Sequence, residues 1–289
     1  SVPAPQNARP CACWPGHRDV EELADQFARE QKWIRFPPPT PEELIETLHQ
    51  LHSVEARVAD FSEYPELTGQ RFIFLPGKPS QLLLNDQLAP SQRVYSMALQ
   101  IGYSELKIRK RLRISPRKNF DSFDQVMDNF RASYFAGALM INRFQAKEEV
   151  QELFQSETWN GDSILELLNR HSVTPETFLH RLSQILPGIF KITELHYLRF
   201  EHLVGRNEIQ LTKELNMPRT LVPSGVRLKE HYCRRWLPVS LLQVLEGKRQ
   251  NGDLKKILIR AQRAKFMESG DEVLFISIAH SLRLRTKMN

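Results

Sequence analysis

Apolar residues recur every three to four positions over most of the chain before Pro187, and this spacing predicts a mainly helical region. The predicted helices lie at Val20–Trp33, from Pro41, from Pro90, at Phe120–Ile141, at Lys147–Phe154, at Ser163–Arg170 and from Pro175. The start at Pro41 is well marked, because Thr40 can cap the helix and two glutamates follow in its first turn. We expect Leu44, Leu48 and Leu51 to form the buried stripe of that helix.

Two strands interrupt this helical region. They are predicted at Arg71–Leu75 and Leu82–Asn85, because Pro76-Gly77-Lys78-Pro79 between them is a strong turn signal. The region therefore predicts helices with a small sheet.

After Pro187 the pattern changes from helical spacing to strand alternation. Ile192–Phe200, Lys256–Ile259 and Glu272–Ala279 are rich in β-branched and aromatic residues, and one helix is predicted at Leu237–Leu245. A turn at 204–207 suggests a hairpin. We therefore predict an α+β protein with a helical lead-in over residues 1–39, a mainly helical domain with a small sheet over 40–187, and a mixed α/β domain over 188–289.

Composition fits this two-domain interpretation. The 289 residues are 41% hydrophobic and 26% charged, as in ordinary globular proteins, so a disordered chain is excluded. No apolar run reaches the roughly 20 residues that a membrane-spanning helix needs. Three cysteines and no signal-peptide pattern in Ser1–Pro10 predict a cytoplasmic protein.

Side chains able to bind a metal occur in two places. Glu46, His49 and His52 lie three residues apart on one predicted helix, but both histidines flank its apolar stripe and are expected at the solvent margin. Cys11, Cys13 and His17 are a weaker set in a Pro-rich segment. Neither set predicts a metal site.

Two basic segments have a functional and a structural interpretation each. The net charge is +6, and the densest positive run is suited to phosphate contacts or to a solvated face; it comprises Lys107, Arg109, Lys110, Arg111, Arg113, Arg117 and Lys118. In His231–Trp236, Cys233 is either a buried structural cysteine or a thiol beside arginines that bind a carboxylate or phosphate.

Two segments carry a resemblance to a known family. The segment Ser91–Tyr103, S-Q-R-V-Y-S-M-A-L-Q-I-G-Y, resembles the active-site helix of the ImmA/IrrE metallopeptidase-like family, which bears an H-E-x-x-H zinc motif. The segment Asn129–Ile141 resembles that family's second signature, where an acidic third ligand precedes small residues. The resemblance implies a zincin-like fold for residues 40–187.

The resemblance also implies that the catalytic groups are replaced. The first zinc histidine falls on Leu99, the catalytic glutamate on Gln100, the second histidine on Tyr103 and the acidic ligand on Asn129. Leucine cannot bind zinc and glutamine cannot act as a general base, so we expect no metal, no cofactor and no peptidase activity. An active zinc peptidase with displaced ligands is the alternative.

Degenerate domains of this kind occur in transcription regulators with an XRE-type helix-turn-helix, including regulators of short-chain acyl-CoA and methylcitrate metabolism. The resemblance implies an effector-sensing, dimerising regulator part with a GAF-like domain over 188–289 and a DNA-binding helix-turn-helix outside this chain. An acyl-CoA or organic acid would contact alternating strand positions and the basic segment, at Tyr197, Arg199, His231, Cys233 and Arg234. A scaffold without any ligand is the further alternative.

Overall fold

The computed structural model describes residues 18–115, 121–202, 209–216, 236–250, 257–265, 270 and 272–281. Within them the chain forms two compact units, one spanning His17–Arg181 and the other Leu182–His280, with the division inside a single helix. The secondary structure is α+β, as predicted. The predicted boundaries after residues 39 and 187 remain predictions.

The first unit contains most of the helices. In chain order its elements are α1 (Arg18–Glu30), α2 (Pro41–His52), β1 (Val54–Ala59), β2 (Phe72–Leu75), β3 (Ser80–Asn85), α3 (Pro90–Glu105), β4 (Ile114–Ser115), α4 (Phe123–Met140), α5 (Arg143–Gln155), α6 (Gly161–Arg170) and α7 (Pro175–Ile189). Helix α7 continues past Arg181 into the second unit.

Helix α2 begins as its sequence predicts. The Thr40 hydroxyl accepts from the Glu43 backbone N–H, and the Glu43 carboxylate accepts from the Thr40 backbone N–H, which makes a reciprocal capping box. Leu44 and Leu48 are fully buried, but Leu51 is 53% exposed, so its assignment to the buried stripe was wrong. The last turn of α2 buries most of His52 instead.

The small sheet holds four strands in the order β1-β3-β2-β4. Strands β2 and β3 form the predicted antiparallel pair, with Phe72 opposite Leu84. Strand β1, which was not predicted, pairs in parallel with β3, and β4 adds two residues along the outer edge of β2. The chain just after α3 therefore runs beside β2.

Helices α3 and α4 pack closely against each other. A Cβ on Gly102 would lie 2.9 Å from the Ala132 carbonyl oxygen and 3.1 Å from the Phe135 ring, so only glycine fits there without a shift. Ala132, Phe135 and Ala136 are fully buried on α4. The small side chains of Ala132 and Ala136 thus let α3 approach α4 closely.

The described residues of the second unit, taken by itself, form two antiparallel strand pairs, the last turns of α7 and helix α8. Strand β5 (His196–His202) pairs with β6 (Ile209–Asn216), and β7 (Leu258–Lys265) pairs with β8 (Glu272–Ala279). Helix α8 (Leu237–Gln250) packs Leu241 and Leu245 against Leu258 and Ala279. Strand β8 has the predicted bounds and β5 overlaps its predicted strand, but β7 shares only Leu258 and Ile259 with the predicted one, and β6 was not predicted. The pairing of β5 with β6 agrees with the predicted hairpin, whose turn at 204–207 lies outside the described residues.

In the described part of the chain, no helix is long and apolar enough to cross a membrane.

Candidate functional site

The four positions that the resemblance assigns to zinc chemistry lie where α3 faces α4. Leu99, Gln100 and Tyr103 are on α3, each at most 5% exposed, and Asn129 is half-buried on α4. The Tyr103 hydroxyl donates to the Asn129 Oδ1 at 2.8 Å. The side chains at the second-histidine and third-ligand positions thus bind each other directly.

These four side chains do not fit a zinc ion. Leu99 has no donor atom, and Gln100 and Asn129 carry neutral amides in place of carboxylates. Burial raises the pKa of Tyr103 well above its ordinary value, against a smaller lowering by a backbone hydrogen bond with Leu112, so this phenol stays protonated at neutral pH. Among the described residues no group of three His, Cys, Asp or Glu side chains is placed to hold a metal ion.

Gln100 is the most deeply buried polar residue of this site. Its side chain is 0% exposed, and within the described residues neither its Nε2 nor its Oε1 has a hydrogen-bond partner. Leaving a buried amide unpaired costs about 1–3 kcal/mol per group, so this position is unfavourable for folding alone.

Arg111 also belongs to the site, although the sequence placed it in a basic run. Its guanidinium lies over the Phe74 ring at 4.7 Å and over the Tyr103 ring at 5.8 Å. Its Nη2 donates to the Ser104 Oγ at 3.4 Å. The apolar residues Ile108 and Leu112, which flank Arg111 in the sequence, are buried. Their presence in the basic run could have indicated that this part of the run packs against the core.

The two candidate histidines of α2 lie in different environments. His49 is exposed, as predicted, but His52 stacks on the Phe27 ring at 6.4 Å and is largely buried, so its expected place at the solvent margin was wrong. Burial lowers the pKa of His52, and the positive charge of Arg111 lowers it further. Its Nε2 lies 3.5 Å from the Glu105 Oε1, while Glu46 is exposed.

In the second unit the structure places two of the five predicted ligand-binding residues. Tyr197 is 8% exposed, with the Lys213 ammonium 5.9 Å from its ring centre. The Arg199 guanidinium pairs with the Glu201 carboxylate at 2.6 Å. The other three predicted residues lie outside the described residues, as does the N-terminal cysteine set; they are His231, Cys233, Arg234, Cys11, Cys13 and His17.

Comparison with known proteins agrees with this fold. The sequence profile of the IrrE N-terminal-like domain, a peptidase family, matches residues 54–183, which include α3 and α4. No curated protein sequence matches the chain. The solved structure of a Mycobacterium tuberculosis transcriptional regulator is similar with a TM-score of 0.52 and 16% identity, over 90% of this chain and 74% of that chain. At this identity the likeness shows the fold alone, and residues 54–183 form a domain similar to the IrrE N-terminal-like family.

Proposed function

We propose that this chain is the effector-sensing and dimerising part of a transcription regulator, and that its peptidase-like unit is not catalytic. The observation that carries the proposal is the hydrogen bond between Tyr103 and Asn129. It joins α3 to α4 at the two positions where the family's metal would join them. A direct side-chain bond there leaves no ligand pair for zinc.

The replaced general base supports the same conclusion. A glutamate at position 100 would take a proton from metal-bound water, and the amide of Gln100 has no basic site for that step. Gly102 and the apolar residues beside it keep the two helices packed. The scaffold is thus retained while the chemistry is replaced.

The regulator role is supported by the structural neighbour, which is itself named a transcriptional regulator. We propose that this chain contacts DNA through a helix-turn-helix outside its 289 residues and acts as a homodimer in the cytoplasm. A mobility-shift assay with the product of the whole gene, and with this chain as control, tests the DNA contact. Binding by the chain alone would contradict this division of roles.

The absence of catalysis is tested by zinc content and proteolysis. After dialysis against buffer without chelator, we expect far less than one zinc per chain and no cleavage of a denatured protein substrate. About one zinc per chain, or a proteolytic activity that disappears in Gln100→Ala, would establish the alternative of an active peptidase with displaced ligands.

For the effector, we propose a GAF-like second domain that binds an acyl-CoA or an organic acid. Its residues would be Tyr197 and Arg199, together with His231, Cys233 and Arg234 of the basic segment. An arginine suits the phosphate or carboxylate, and the strand residues suit the acyl chain. The buried ring of Tyr197, with the Lys213 ammonium 5.9 Å from its centre, would form part of the apolar wall of this site.

Calorimetric titration with propionyl-CoA, acetyl-CoA and methylcitrate tests this site. We expect saturable binding of at least one of them, weakened in Arg199→Ala and Arg234→Ala. Arg260→Ala is the matched control, because Arg260 is an exposed arginine on a strand of the same unit. Absence of binding by all three compounds would leave the interaction scaffold as the function.

A further inference from the structure

The Arg111 side chain is partly buried in the first unit, where two aromatic rings face its guanidinium. Its Nη1 is buried without a hydrogen-bond partner among the described residues, and its Nη2 donates to the neutral hydroxyl of Ser104. In the described part of the chain Arg111 forms no ion pair with an Asp or Glu. Burying a cation is unfavourable unless a negative group compensates it.

The surroundings of Arg111 hold it in a defined orientation. Phe74 on β2 and Tyr103 on α3 both present their rings to the guanidinium, and the Tyr103 hydroxyl is in turn bound to Asn129. A planar guanidinium that is held in this way presents its remaining N–H groups as a fork, which matches two oxygens of a carboxylate or phosphate.

Gln100 supplies a second, independent observation. It precedes Ser104 by one turn of α3, so the two residues lie on the same face of the helix. Its amide is completely buried with both polar atoms unpaired among the described residues. Arg111, which follows α3 in the chain, donates to Ser104 on that same face. A ligand with anionic oxygens there would satisfy both the guanidinium and the amide.

We propose that the replaced catalytic site of the first unit is an anion-binding site, in which Arg111 binds a carboxylate or phosphate group and Gln100 provides a polar contact. The ligand class is a small metabolite that carries such a group. The site is separate from the effector residues proposed in the second unit, and it does not depend on whether those residues bind anything.

The test uses the whole chain labelled with nitrogen-15 and follows the side-chain N–H signals of arginine and glutamine by NMR. Sodium propionate and inorganic phosphate are the two probes, each titrated at an ionic strength held constant with sodium chloride. We expect a saturable shift of the Arg111 and Gln100 signals with at least one probe. Propionate alone would identify a carboxylate site, and phosphate alone would identify a phosphate site.

Three variants assign the response to these residues. Arg111→Gln should weaken binding by about tenfold or more, because a charge-assisted hydrogen bond is replaced by a neutral one. Gln100→Met, which keeps the volume and removes the amide, should weaken it by a smaller factor. Arg113→Gln should leave it unchanged, since Arg113 is an exposed arginine on the same segment.

The wild-type titration decides the proposal even if a variant fails to fold. A wild-type protein whose signals do not saturate with either anion would overturn it. An Arg111→Gln variant that folds and binds as tightly as the wild type would overturn it as well. Neither result bears on the zinc, DNA or acyl-CoA experiments, so failure here is distinguishable from failure of the proposed function.

Discussion

At the scale of residues, Tyr103 and Asn129 form a direct side-chain hydrogen bond between α3 and α4. Tyr103 is 1% exposed, and its hydroxyl has a hydrogen-bond partner on the neighbouring helix 26 residues later in the chain. A buried hydroxyl without a partner is unfavourable, so the two residues depend on each other. The stability of the pair can therefore be measured by removing either side chain.

We expect Tyr103→Phe to lower the free energy of unfolding by about 1 kcal/mol, because Asn129 then loses its donor. The double variant with Asn129→Ala should show a coupling energy of similar size in urea unfolding. Tyr64→Phe is the control and should have almost no effect, since Tyr64 is 53% exposed. Additive effects of the two single changes would contradict the interaction.

Glu149 is a buried carboxylate that contacts two side chains, those of His171 and Arg170. Its Oε2 lies 2.6 Å from the His171 Nε2, and its Oε1 accepts from the Arg170 Nη1 at 3.0 Å. Burial by itself raises the pKa of Glu149, but the contacts with His171 and Arg170 more than offset it, so the pKa lies below its ordinary value of 4.5.

The lowered pKa of Glu149 predicts how the free energy of unfolding changes in acid. Because the folded-state pKa is depressed, the contribution of Glu149 to stability is complete above pH 4.5 and is lost as the pH falls through the folded-state value. Glu149→Gln should therefore flatten the acid side of a plot of unfolding free energy against pH. Glu66→Gln, at an exposed site, should retain the wild-type slope; an unchanged slope in Glu149→Gln would refute the assignment.

At the scale of elements, the approach of α3 to α4 positions the candidate site. Backbone and side chain of α4 lie against Gly102, and the next residue on α3 is Tyr103. A larger residue at 102 would push the helices apart and separate Tyr103 from Asn129. The glycine is thus required by packing, even though it lies inside a helix.

We expect Gly102→Ala to destabilise the protein by about 1–3 kcal/mol, because the added methyl group meets the Ala132 carbonyl and the Phe135 ring. Gly247→Ala should have the opposite sign and stabilise by up to about 1 kcal/mol, since nothing lies within 4 Å of a Cβ there and alanine favours a helix. Thermal unfolding of both variants measures the difference. Equal changes in stability for the two variants would mean that the added methyl group at 102 does not clash with α4.

At the scale of the molecule, a buried ion pair connects distant parts of the first unit. The Arg181 guanidinium donates to both oxygens of Glu21, at 2.8 and 2.5 Å, and its Nε donates to the Ile141 carbonyl at 3.0 Å. Glu21 lies on the first helix and Arg181 on α7, 160 residues later. The opposite charges lower the pKa of Glu21, although burial alone would raise it.

We expect Arg181→Ala to lower the free energy of unfolding of the first unit by about 3–5 kcal/mol, because Glu21 is left as an uncompensated buried charge. Arg35→Ala, which breaks the half-exposed pair with Glu43, should cost at most about 1 kcal/mol. Chemical denaturation followed by circular dichroism compares the two. A similar loss of unfolding free energy in both variants would contradict the larger contribution expected of the buried Arg181–Glu21 pair.

The sequence by itself determined which segments are helical and where several of them begin. The Thr40 cap, Pro41 and the apolar spacing of α2 are local signals, and local hydrogen bonds and helical periodicity suffice to produce them. The replacement of the family's catalytic residues at 99, 100, 103 and 129 was also a sequence prediction that rested on the resemblance.

Only the tertiary structure decided which polar side chains meet. Strand β1 forms because β3 pairs with it, and Leu51 is exposed while His52 is buried because other elements cover one side of the last turn of α2. The contact of Arg111 with Tyr103 joins α3 to the segment after it, and the bond to Asn129 joins α3 to α4. Such contacts depend on packing between elements far apart in sequence, whereas periodicity and capping report only on residues a few positions apart.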